Sequence, residues 1–531
     1  MKRIILILLI SFGAIWGAQK NQPVVKNIII LIPDGMSVGG YTLARWYKGG
    51  TSLAIDELIC GLVRTYSSDA VIADSAPAAT AYACGYKAVT KNIGVMPEKA
   101  GMPFVPEVIK GEENRPIANI FEAARLKGKA TGLVFTCELP HATPADFSAH
   151  SKDRSFYDEI SEQQVHAGLD VVFGGGWYFL TKEARKDKED LLEVVKKNYT
   201  FISNRTQLLS LKKDTKRVWG LFAPKAMSYD FDRSEDEPSI SEMTSKAIEI
   251  LSKNTNGFIL MVEGSKIDWA SHANDPVGII SDILAFDEAV RIAKEFAKTN
   301  KNTVVIVVPD HGNGGITIGN SNSDKTYDKL SLDDILKYIK QAKKTGEGLE
   351  KLISISSTRD EISNTLATYY GIIDATEDEI KNILSTISNK KPLNYVVGPM
   401  ISKRSYIGWT THGHTGEDVI LGIYSPKNDH PKGVIDNTDI AKIMEKYFGV
   451  SLEKTTKELF IEAKGIGEKL ETDKSDPENP VLVIKHKNNT IKLPVNKNIA
   501  YINNKEIKLK SVNIYINDKW YISKEVLSLM K

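Results

Sequence analysis

The chain has 531 residues, 42% of them hydrophobic and 26% charged, with a formal net charge of +2. That balance describes a soluble globular protein with a sizeable core, and its size allows one large α/β domain with additions. It argues against a nucleic-acid partner, since no basic run with interleaved aromatics stands out. Three cysteines, Cys60, Cys84 and Cys137, do not make a disulfide framework.

Met1-Lys2-Arg3 is a positive start, followed by an apolar run to Trp16 and small Gly17-Ala18. This is the shape of a secretory signal peptide over residues 1–18, with an apolar run too short for a comfortable span. Export to the periplasm or the outside follows, with no stable membrane span after cleavage. Trp16 near the cleavage point leaves an uncleaved anchor as the alternative.

From Val24 to Ile32 a continuous apolar run predicts a buried strand, and Pro33-Asp34-Gly35 follows it. Similar runs lie at 129–136, 169–173, 258–262, 303–308 and 419–424. Between the first two of these strands lies Ala73-Asp-Ser-Ala-Pro-Ala-Ala-Thr-Ala-Tyr-Ala-Cys-Gly-Tyr-Lys87. Ser75 reads locally as a helix N-cap, Pro77 suits the first turn and Gly85 suits the stop. The competing reading makes Ser75 a nucleophile.

An amphipathic helix is predicted over 281–298. Residues 316–405 become helical and polar, with helices over 358–370 and 376–387, and read as an insertion, a lid or a crown. The main domain resumes at 408 and ends near 450. Residues 459–480 are charged and read as a linker. The remainder, 481–531, is a small β-rich module that ends in a hairpin turning at Asn517-Asp518. Strands alternating with helices predict an α/β fold, three layers deep, around a large mostly parallel sheet.

Asp34, Glu263 and the pair Asp310-His311 each fall just past the carboxyl end of a predicted strand, the edge where open α/β sheets gather their sites. Asp268 and His272 are four apart, so on a helix they share a face and can chelate one ion. His414 sits in Thr411-His412-Gly413-His414-Thr415-Gly416. Carboxylates with imidazoles make a hydrolytic zinc set, whereas an all-oxygen set suits magnesium.

With Asp74-Ser75-Ala76, His141-Ala142-Thr143-Pro144-Ala145, Val262-Glu263-Gly264, Pro309-Asp310-His311 and His414-Thr415-Gly416 in that order, the chain resembles the alkaline phosphatases over about 25–450. The resemblance implies that Asp268, His272 and His414 hold one zinc and that Asp34, Asp310 and His311 hold a second beside Ser75. A magnesium would sit at Asp34, Thr143 and Glu263, and Arg154 would clamp phosphate. His412 competes with His414, which is preferred because Thr-Gly follows it.

The resemblance further implies hydrolysis of small phosphate monoesters through a phosphoserine at Ser75, by a homodimer. His141 and Trp269 stand where some members carry aspartate and lysine, which leaves the third metal in question. Ala79 replaces the arginine that a sulfatase needs. A phosphodiesterase of the same superfamily and a non-catalytic envelope protein that binds metal or phosphate are the alternatives.

Overall fold

A computed structural model describes residues 25–212 and 214–530, so the signal peptide read at 1–18 lies outside the described residues. The central sheet has ten strands. In chain order they are β1 (Asn27–Ile32), β2 (Ile59–Arg64), β3 (Ala130–Glu138), β4 (Val171–Gly175), β5 (Thr200–Ile202), β6 (Val218–Leu221), β7 (Phe258–Glu263), β8 (Thr303–Val307), β9 (Val419–Tyr424) and β10 (Gly433–Asp436). Across the sheet the order is β10-β2-β9-β8-β1-β7-β3-β4-β6-β5. Only β9 runs against its neighbours, β2 and β8; the other pairs are parallel.

β1 shows why the sheet is covered on both faces. Ile29 and Leu31 pack into one core cluster, while Ile28, Ile30 and Ile32 pack into the other. A strand of unbroken isoleucine and leucine is the composition of a doubly covered parallel sheet. One face carries the helix Pro276–Asn300, which starts at Pro276 behind Asp275, whose side chain accepts from the Val277 N–H. The other carries Ser75–Cys84, Ile120–Leu126 and Thr438–Phe448. The three predicted layers are therefore present.

Residues 316–405 hold a run of helices that includes Leu332–Gln341, Arg359–Tyr370, Glu377–Ser388 and Asn394–Arg404. Their base is pinned by a short antiparallel pair, Thr317–Ile318 against Ile407–Gly408. Among the described residues no helix is long and apolar enough to cross a membrane.

The tail departs from the linker reading. Lys469–Asp473, inside the charged stretch 459–480, is the edge strand of a five-stranded antiparallel sheet and pairs with Val481–His486. Four of its five residues are exposed, so its charges do not prevent pairing. The predicted hairpin is present: Ile514–Ile516 pairs with Lys519–Ile522 through Asn517 and Asp518, both at positive φ.

The tail docks on the main domain through Asn496, which accepts from Gln163 Nε2 at 3.1 Å and donates to Glu162 Oε2 at 3.0 Å. Lys497 adds ion pairs to Glu162 and Glu189. At this contact burial, and then the charges of Lys497 and Lys508, push the His166 pKa from 6.5 down to about 4. A base kept neutral by folding adds stability that is complete above about pH 6.5 and is lost as pH falls through about 4. Calorimetry between pH 7 and 4 should therefore show His166→Gln losing stability less steeply than the parent protein.

Candidate metal centre and active site

The site is built at the carboxyl edge of the sheet, where β1, β7 and β8 end side by side. Asp34 follows β1, Glu263 closes β7, and Asp310 and His311 follow β8; all four are fully buried. Gly35 permits this convergence: its φ is +66°, and a Cβ there would lie 2.4 Å from Asp268 Oδ1. Its N–H donates to Asp310 Oδ1 at 3.1 Å, orienting that carboxylate.

Ser75 is the first residue of the helix Ser75–Cys84, which Gly85 ends in the left-handed region at φ 77°. The cap position belongs to Asp74, one residue earlier than the local reading placed it. Asp74 makes no side-chain cap bond; its carboxylate instead accepts from Arg154 Nη1 at 2.5 Å. Ser75 Oγ lies 3.2 Å from His311 Nε2, on a residue only 2% exposed.

The first pocket brings together Asp34, Asp310 and His311, with His311 Nε2 3.5 Å from Asp34 Oδ1 and 3.2 Å from Asp310 Oδ2. The second brings together Asp268, His272 and His414. Asp268 and His272 share the short helix Lys266–His272, and their ligand atoms lie 3.4 Å apart. His414 arrives through the antiparallel pair of His414–Thr415 with Gly312–Asn313. Its Nε2 is 3.2 Å from His272 Nε2 and 3.7 Å from Asp268 Oδ1.

The outer nitrogens explain how these rings are set. Nδ1 of His272 donates to the His412 carbonyl at 2.6 Å, Nδ1 of His414 to the Ala73 carbonyl at 2.8 Å, and Nδ1 of His311 to the Gly312 carbonyl at 3.2 Å. Each bond turns an Nε2 inward, and once the proton held at His272 is displaced all three offer lone pairs there, the arrangement of metal-ligating imidazoles. The His412 ring instead faces the His272 carbonyl and Asn274.

Both Asp34 oxygens, Asp310 Oδ2, Glu263 Oε1 and Thr143 Oγ1 are buried without a hydrogen-bond partner. Such orphaned acceptors are costly unless a cation satisfies them. Burial, followed by Asp310 and Asp268, pushes Asp34 well above the carboxylate range. Burial likewise lifts Glu263 to about 8. Although burial opposes ionisation, the His272, His311 and His414 imidazoles hold Asp268 below the usual range. Asp268 in turn outweighs burial at His272 and lifts it to about 9, so a cation in the second pocket would displace a proton there. The donors fit divalent metals.

Arg154 Nη2 lies 3.0 Å from His141 Nε2, so the guanidinium is held from two sides. Trp269 meets the His141 ring edge-on, with centroids 6.1 Å apart, and the ammonium of buried Lys266 sits 4.5 Å from its centroid. Sequence reasoning missed Asp74 as the anchor of Arg154 and Asn313, whose amide donates to Asp268 Oδ1 at 2.6 Å. It also missed Cys137, which joins His141 and Glu263 in a third group of ligand atoms. Asp74 lay within a quoted motif, but nothing local tied it to a residue 80 positions away.

Carboxylate and imidazole donors beside a buried serine, at the carboxyl edge of a largely parallel sheet, place the chain among metal-dependent hydrolases. Comparison with known proteins narrows the class. Residues 25–450 match the family described as alkaline phosphatase, and residues 445–529 match the copper amine oxidase N-terminal domain. The chain is 37% identical to alkaline phosphatase 3 of Bacillus subtilis (strain 168), covering 80% of this chain and 88% of that protein. It is 34% identical to the alkaline phosphatase of Schizosaccharomyces pombe, covering 82% and 83% respectively. The crystal structure of Thermus thermophilus alkaline phosphatase superposes with a TM-score of 0.69 at 26% identity, covering 85% of this chain and 99% of that one. The chain belongs to the alkaline phosphatase family, metal-dependent enzymes that hydrolyse phosphoric monoesters.

Proposed function

We propose that Ser75 is the nucleophile and Arg154 the phosphate clamp of this phosphatase. Asp34, Asp310 and His311 hold one zinc in this reading, and Asp268, His272 and His414 the other. Asp34, Thr143 and Glu263 face a third metal, which the family resemblance assigns to magnesium. The observation that carries the reading is the inward set of three Nε2 atoms, each fixed by an outer bond to a carbonyl, beside Ser75 Oγ. When bound, zinc supplies Lewis-acid polarisation that lowers the pKa of a hydroxyl or of water.

Ser75 attacks phosphorus in line and the alcohol departs with a proton. Water then hydrolyses the serine phosphate from the opposite side, so configuration at phosphorus is retained and the hydroxyl returns. The helix that starts at Ser75 turns backbone N–H groups toward the phosphoryl oxygens. Arg154 offers a planar fork to two of them, pre-aimed by Asp74 and His141. Loss of that fork removes charge-assisted bonds, so Arg154→Ala should lower kcat/KM for p-nitrophenyl phosphate about 10- to 150-fold. It should weaken inhibition by inorganic phosphate in parallel. Steady-state assays check both effects, and unchanged phosphate inhibition would remove Arg154 from the clamp.

The same protein should cleave a monoester much faster than bis-p-nitrophenyl phosphate, and a preference for the diester would reassign the subclass. Residues 1–18 act as a cleaved export signal in this reading, and the strands from Ile461 onward form an appended module. The homodimer rests on the family resemblance, and sedimentation of the purified protein tests it.

A further inference from the structure

We infer that Cys137 is a ligand of the third metal pocket, which takes a thiophilic divalent cation such as zinc or cobalt in place of magnesium. The inference rests on the reading of Glu263 and its neighbours as a metal pocket. Cys137 lies near the end of β3, where the register with β4 breaks between Val134 and Glu138. Its Sγ is fully buried, 3.4 Å from Glu263 Oε2, and its N–H is tied to Ser265 Oγ at 3.1 Å.

Two independent observations mark this as more than a buried thiol. One ligand atom from each of Cys137, His141 and Glu263 lies within 4.8 Å of the others. Two of these residues also carry buried atoms with no hydrogen-bond partner, Glu263 Oε1 and His141 Nδ1; His141 Nε2 is already engaged by Arg154, which leaves Nδ1 as the free donor. Magnesium requires near-octahedral oxygen donors, and a thiolate with an imidazole turns the preference to zinc or cobalt. Ligation through Nδ1 would put the His141 proton on Nε2, which could then no longer accept from Arg154. Filling this pocket thus releases one of the two contacts that aim the phosphate clamp, leaving Asp74.

X-ray absorption at the zinc edge of the full-length protein, stripped and reloaded with zinc in the presence of magnesium, tests the inference. The expected result is a zinc–sulfur shell at about 2.3 Å. Cobalt loading should give a thiolate-to-metal band in the near ultraviolet. Cys137→Ser should abolish both signals and weaken the third ion by at least ~10- to 100-fold, while Cys60→Ser and Cys84→Ser keep them.

If the serine variant fails to fold, the parent protein's sulfur shell alone decides. Zinc bound without sulfur scattering, or magnesium filling the third pocket, overturns the inference, leaves the phosphatase reading intact and reduces Cys137 to a hydrogen-bond donor for Glu263. No bound metal at all overturns both.

Discussion

Replacing Ser75 with alanine lowers turnover of phosphate monoesters by at least ~10³-fold, as removal of a covalent nucleophile does in other hydrolases. The hydroxyl lies 3.2 Å from His311 Nε2, on a buried residue. Alanine suits a helix, and the backbone that starts Ser75–Cys84 does not depend on the hydroxyl. Thermal stability and metal content should therefore stay at parental values while activity falls. Acid quenching during turnover of radiolabelled substrate should trap phosphate on the parent protein at Ser75 and none on the variant. A variant that kept full activity would place the nucleophile elsewhere.

Chelation has the second large effect, and it acts on stability as well as on rate. Stripping the metals should abolish hydrolysis, and adding zinc back should restore it. Without cations, burial pushes Glu263 to about 8 and Asp34 well above its ordinary range. A carboxyl raised by folding contributes stability that is complete below its unfolded value of about 4.5 and is lost as pH rises through its folded value. The stripped protein should accordingly weaken between pH 4.5 and 8, where the loaded protein does not. At a thousandfold excess over Kd, each site stabilises the fold by about 4 kcal/mol. Melting curves with chelator and with zinc, at pH 5 and pH 8, measure this difference, and equal curves at pH 8 would contradict it.

The strands that carry the site were legible because they are apolar without interruption, which only burial on both faces explains. β1, β3, β4, β7, β8 and β9 read directly from such runs. β2 did not, since four of its six residues are polar, glycine or exposed on a half-open face, and β5, β6 and β10 are short strands. The edge strand Lys469–Asp473 looked like a linker for the same reason: exposed pairing needs no apolar signature.

Within the site, residue types at fixed offsets were legible, Asp268 with His272 being the clearest. Partnerships made only by tertiary approach were not. Arg154 with Asp74, Asn313 with Asp268, and Cys137 with Glu263 join segments whose separation along the chain carries no local pattern.

The reversed direction of β9 has a consequence for how this protein can change. Because β9 runs against β8, the residues that precede it, His414 among them, reach the same rim as those that follow β8. The long excursion between these strands therefore leaves and rejoins the frame at one place, closed by Thr317–Ile318 against Ile407–Gly408. That pair works as a splice point. Segments could be lengthened, trimmed or grafted beyond it, altering which molecules reach the rim while the metal ligands keep their spacing.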